Sequence, residues 1–137
     1  MFLLDTNVIS NIFRGNKNIM LKAAKIDDNQ LFTCSIVEAE IFFGVDNSRP
    51  ERQELLNQFY TEFFANITVL SFDSNSAQVF RKIKSKLWKM GESIENFDIA
   101  IASIALSNNL TLITNNTKHF EKIVGLKVED WSKEGIS

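Results

Sequence analysis

A chain of 137 residues, 45% of them hydrophobic and with a formal net charge of −2, has the size and apolar content of one compact domain over residues 1–137. Its single cysteine, Cys34, excludes an intrachain disulfide and a multi-cysteine metal site, and its mild acidity taken alone argues against nucleic acid as a partner. The opening "MFLLD" carries no basic leader and no apolar run reaches bilayer length, so the expected location is the cytoplasm, with no membrane partner.

Residues 2–5 read as a short buried strand, followed by helical patterns over Val8–Phe13 and Ile19–Ile26. "LFTC" is a second strand. Ser35 and Glu38 have the spacing of an S-x-x-E capping box ahead of a helix to Val45. Pro50 sits where a first-turn proline belongs and opens a helix to Phe64. "ITVL" is a third strand, after which Asp73 or Ser74 caps a long helix that runs to Met90 and stops at Gly91. Asn96 caps a helix to Leu106, "LTLIT" is a fourth strand and "LKVEDW" a fifth. Short apolar strands alternating with helices imply an α/β domain with a central parallel five-stranded sheet and helices on both faces. In such sheets ligands gather at the carboxyl ends of the strands, and Asp5 stands at one of them.

Three acids stand out because their surroundings are greasy. Asp5 ends the apolar run Phe2–Leu4. The helix "IVEAEIFFGV" is apolar all round apart from two glutamates, which predicts burial. Its Glu38 is explained by the capping box. Glu40 is not, since its helical neighbours are Ile36, Val37 and Phe43. In "FDIAIASIAL" the only charged residue is Asp98, above Ala102 and Ala105. Carboxylates from separate buried elements repel one another unless a cation or protons intervene. An all-oxygen cluster suits Mg²⁺ or Mn²⁺ rather than zinc.

Near the fourth strand end, Thr114, Asn115 and Asn116 add a hydroxyl and amide oxygens able to contact a metal or its water, and Thr6 and Asn7 are polar neighbours of Asp5. Lys82, Lys86 and Lys89 fall on one helical face, either a solvated surface or a stripe that tracks RNA phosphates. His119 and Cys34 have no legible acid–base partner and read as structural.

The segments "LLDTNVIS", "SIVEAEIFFG", "IENFDIAIASIAL" and "LITNNTKHF", the last followed by "GLKVEDW", together resemble PIN-domain ribonucleases, specifically the VapC-type toxins of bacterial toxin–antitoxin pairs. The resemblance covers nearly the whole chain, in family order. It implies an Mg²⁺-dependent endoribonuclease that cuts tRNA or ribosomal RNA, active as a homodimer and held inactive by a cognate VapB-type antitoxin in a larger hetero-oligomer. DNA would then be met only through the antitoxin. The family's first three acids fall on Asp5, Glu40 and Asp98, and its fourth acidic position falls on Asn116, an amide. Asp5 and Asp98 would hold the metal while Glu40 orients a water, and one carboxylate fewer weakens any second metal site.

Two enzyme classes lack residues that they need. A dehalogenase-like phosphatase needs a second aspartate where Asn7 stands, and a receiver domain needs an adjacent acid pair after the first strand. A catalytically degenerate PIN module that only binds RNA or protein remains the alternative.

Overall fold

Leu3 and Leu4 are neighbours on one strand and so face opposite sides of the sheet, yet they are 0% and 1% exposed. Both faces are therefore covered. The computed structural model describes residues 1–133, so the last four residues of the expected 1–137 unit lie outside it. In chain order the elements are β1 (Phe2–Leu4), α1 (Thr6–Phe13), α2 (Lys17–Ala24), β2 (Leu31–Cys34), α3 (Ser35–Asp46) and α4 (Pro50–Ala65). There follow β3 (Thr68–Leu70), α5 (Ser74–Lys89), α6 (Asn96–Ser107), β4 (Thr111–Ile113), α7 (Thr117–Phe120) and β5 (Val128–Glu129). The five strands pair in parallel in the order β3-β2-β1-β4-β5, the α/β architecture expected from the sequence. The order reverses direction at β1 and β4, and the crevice between their carboxyl ends is where such sheets bind ligands.

The core lies on both sides of β1 and β4. Thr33 of β2 is fully buried and satisfies its hydroxyl by donating to the Leu4 carbonyl at 3.0 Å. α6 is buried continuously from Ile99 to Ala105. Its alanines let α5 lie close along it, antiparallel, with the Ser76 and Ser107 hydroxyls 3.2 Å apart at one end and Lys84 Nζ donating to Asn96 Oδ1 at 2.7 Å at the other.

Several local expectations change. α3 is not buried all round: only Val37, Ile41 and Val45 are, while Ala39 and Gly44 are exposed and Phe43 is 69% exposed. The predicted capping box does not form. β2 runs into α3 without a turn, so Cys34, still extended at φ −143° and ψ 165°, is the cap residue and Ser35 is drawn into the first turn. Glu38 is left as a first-turn acid favoured by the helix dipole. Asn96 is likewise a first-turn residue, with Glu95 at the cap and the Asn96 side chain given to Lys84. The cap at Asp73 does form: its Oδ1 accepts from the Ser76 N–H at 2.9 Å and from the Ser76 hydroxyl at 3.0 Å. Gly91, at φ +69°, ends α5 as expected. The short α7 has no periodicity to announce it.

These caps order the melting temperatures of two variants. Asp73→Ala removes two hydrogen bonds from the start of α5 and lowers the melting temperature, whereas Ser35→Ala removes none and leaves it nearly unchanged. Thermal melts by circular dichroism check the order.

Candidate active site

Asp5 is the residue at which β1 gives way to α1. Its N–H continues the sheet by bonding the Ile113 carbonyl at 3.0 Å, while its side chain caps the helix, Oδ1 accepting from the Thr6 N–H at 2.8 Å. Oδ2 accepts from the Thr114 hydroxyl at 2.9 Å, across the crevice between β1 and β4. The carboxylate is thus held from both walls of the switch point. It is only 5% exposed. Burial pushes its pKa from 3.8 to about 6; the bonds from Thr6 and Thr114 oppose that rise, and the nearby charges of Asp98 and Glu40 add to it.

The three predicted acids therefore share one end of the sheet and one electrostatic field. Glu40, on α3, is half-buried, and its Oε1 accepts from the Thr6 hydroxyl at 2.7 Å. Sequence spacing showed no partner for it, because Thr6 is 34 positions away. Asp98, in the first turn of α6, is partnered by His119 of α7, with Nε2 3.0 Å from Oδ2. A carboxylate only accepts, so His119 donates. The structural reading of His119 is corrected accordingly: it orients one of the three acids. Its only sequence signal was a histidine shortly after a strand end, and the pairing depends on α7 turning back toward α6.

The polar residues of the β4 end are drawn into the same frame. Thr114 also accepts from the Asn116 N–H at 3.1 Å, and Asn7 Oδ1 accepts from the Asn115 N–H at 3.3 Å. Asn115 Oδ1 is buried with no partner. Asn116 is exposed and starts α7 without a side-chain cap bond. Cys34 is buried and its thiol is pushed up to about 11, chiefly by burial, which leaves it inert at neutral pH. Lys82, Lys86 and Lys89 are exposed on α5, and the first two border a cleft of about 270 Å³ with Lys122, which pairs with Glu92 at 3.0 Å. None of the three acids lines that cleft.

Among the described residues no three Asp, Glu, His or Cys side chains form a ready-made metal cage. The donor chemistry nonetheless fits a hard divalent cation. It is all oxygen, it includes a desolvated carboxylate that a positive charge would return to its ionised form, and it has an unpartnered amide oxygen at Asn115.

A parallel α/β domain whose first strand ends on a buried aspartate, joined at the switch point by acids from two helices, defines the class. The PIN-domain family model matches residues 2–126, and the chain belongs to that family. It is 30% identical over 131 residues to ribonuclease VapC2 of Haemophilus influenzae, a match spanning 95% of this chain and 97% of the relative. It is also 30% identical over 132 residues to the tRNA(fMet)-specific endonuclease VapC of Shigella flexneri, spanning 96% and 98%. The crystal structure of VapBC2 from Rickettsia felis, bound to a DNA fragment from its promoter, matches with a TM-score of 0.87 and 28% identity over 95% of this chain and 98% of that one. Within the family this is a VapC-type ribonuclease toxin.

The buried charge at Asp5 makes stability depend on pH. Between 3.8 and about 6 the folded chain keeps a proton that the unfolded chain has released, so metal-free stability falls as pH rises through that window and stays lower above it. Asp5→Asn removes this dependence and stabilises the metal-free fold at neutral pH by about 1–3 kcal/mol. Denaturant titrations of both proteins at pH 4 and pH 7 measure it.

Proposed function

We propose that this ribonuclease depends on Mg²⁺, or Mn²⁺ in its place, cuts structured RNA such as tRNA or ribosomal RNA, and works in the cytoplasm as a homodimer silenced by a cognate VapB-type antitoxin. The observation that carries the reading is Asp5. A carboxylate 5% exposed, raised to about 6 by burial and by two neighbouring acids, is a poor structural choice and a good cation ligand. Asp5 and Asp98 would hold the ion, with oxygens of Thr114, Asn115 and Asn116 available to it or to its waters. When bound, the ion supplies charge neutralisation at the phosphodiester and a more acidic water. Glu40, one oxygen held by Thr6, orients the attacking water with the other. Water oxygen bonds to phosphorus as the 3′ oxygen leaves, giving a 5′-phosphate and a 3′-hydroxyl.

The substrate class draws on the Shigella relative, whose name specifies tRNA(fMet). The antitoxin draws on the solved neighbours, which are toxin–antitoxin complexes, one of them on promoter DNA. DNA then reaches this chain only through the antitoxin, in a hetero-oligomer. An apolar cleft of about 590 Å³ among α1, α2 and α4, lined by Ile12, Met20, Ala23, Phe59, Phe63 and Ile67, supports docking of an apolar antitoxin segment. Among the described residues no helix is long and apolar enough to cross a membrane.

Purified protein with bulk tRNA tests the reading directly. Cleavage requires Mg²⁺ and stops with EDTA, and Glu40→Gln slows turnover by about 10²- to 10⁴-fold with the melting temperature retained. Metal-independent RNA binding without cleavage in the parent chain supports the degenerate module instead. The α5 lysines are tested separately: Lys82→Glu with Lys86→Glu weakens RNA binding and flattens its salt dependence if they track phosphates, and leaves both unchanged if the face is merely solvated.

A further inference from the structure

RNA is a polyanion, and Asp5, Glu40 and Asp98 repel its phosphates everywhere except where a cation sits. The net charge of −2 gives no general attraction. Affinity for the strand must therefore come from local positive groups beside the acids. One cleft, of about 320 Å³, meets that condition: α1 gives it Thr6 and Ser10, Arg14 comes from the cap at the end of α1, α3 gives Glu40, and α4 gives Arg52 and Tyr60. Thr6 and Glu40 are the pair joined at 2.7 Å in the acidic centre, so the cleft and the centre share a wall.

Arg14, just past α1, and Arg52, on α4, both line this cleft, and among the described residues neither makes an ion pair, although a carboxylate lines the same space. Their positive charges both bear on the Tyr60 hydroxyl, and Ser10 lies beside it. The Ser10 hydroxyl is anchored by donating to the Thr6 carbonyl at 3.1 Å. Two guanidinium groups lining one cleft, both close enough for their charge to act on the Tyr60 hydroxyl, supply the charge and the N–H donors that a phosphate accepts. A carboxylate on one wall disfavours a free anion, but a backbone phosphate whose neighbour sits at the metal is bound from both sides.

We propose that this cleft is a phosphate subsite for the RNA strand, in which Arg14 and Arg52 hold the phosphate flanking the scissile one on the Glu40 side of the centre. The subsite rests on the ribonuclease reading above. It separates two tasks: the acids and their ion act on one phosphodiester, and the arginines fix the next.

The test measures binding of a fluorescein-labelled RNA hairpin in Mg²⁺ to Glu40→Gln protein, which keeps Asp5 and Asp98 and cuts the RNA slowly, and cleavage of bulk tRNA by protein with Glu40 intact. Arg14→Ala and Arg52→Ala each weaken hairpin binding about three- to tenfold, and the double variant lowers the slope of log K against log salt by about 0.7–0.9 for the lost phosphate contact. With Glu40 intact, KM rises while kcat is retained, and Mn²⁺ affinity without RNA is unchanged. Arg52→Lys keeps most of the salt slope because the charge remains. An unchanged slope and KM overturns the subsite, as does a loss confined to antitoxin binding, which would make the cleft a protein contact. Parallel loss of kcat and Mn²⁺ affinity overturns it too, since the arginines would then belong to the metal centre. If the chain without arginine substitutions neither binds nor cuts RNA, the ribonuclease reading itself has failed, and the subsite with it.

Discussion

The fold is organised around one costly act, the burial of the Asp5 carboxylate at the end of β1. An isolated ionised carboxylate out of water is strongly unfavourable, so it persists only where donors or a cation answer it. Here the donors come from both sides: the Thr6 amide from α1 and the Thr114 hydroxyl from just past the end of β4. They offset burial only in part, and Asp5 is still pushed up to about 6. The remaining deficit favours a cation at this place, and it ties the geometry of the sheet to the chemistry of the site.

The parallel sheet makes that arrangement possible. Because β1 lies between β2 and β4, each carboxyl end opens into the same crevice, and the helices that follow begin there. α1 brings Thr6 and α3 brings Glu40, and these two bond to each other. The chain reaches β4 through α6, whose buried run from Ile99 to Ala105 fixes the direction in which Asp98 leaves its first turn. α7 then returns His119 to Asp98. Each acid is held by a donor brought from another part of the chain, Thr114 for Asp5, Thr6 for Glu40 and His119 for Asp98. The spacing of the acids is therefore set by packing rather than by their own attraction, which is negative.

The same economy explains why positive groups stand apart from the centre. A cationic side chain among the acids would satisfy Asp5 directly and compete with a metal ion. Arg14 and Arg52 instead line a cleft that touches the centre only through Thr6 and Glu40, and Lys82 and Lys86 of α5 border another cleft altogether. Opposite charges are therefore neighbours without being partners, which suits a substrate that is negative along its whole length.

Much of this was legible before folding. Strand and helix order, the parallel sheet and the Asp73 and Gly91 boundaries of α5 follow from apolar runs and local capping chemistry, which act within a few residues. The identities of Asp5, Glu40 and Asp98 were visible as charges in apolar surroundings. What the sequence could not supply were partners many positions away. Thr6 on Glu40, Thr114 on Asp5 and His119 on Asp98 are side-chain contacts between elements, and no periodicity encodes them. The capping box at Ser35 failed for the converse reason: a local motif was overridden because β2 enters α3 without a turn and Cys34 takes the cap. The sequence by itself determined which residues must avoid water and which acids would resist doing so, because burial preference is a property of each side chain. Only the tertiary structure decided which donors meet those acids and where the arginines lie, because those distances arise from the packing of helices on the sheet.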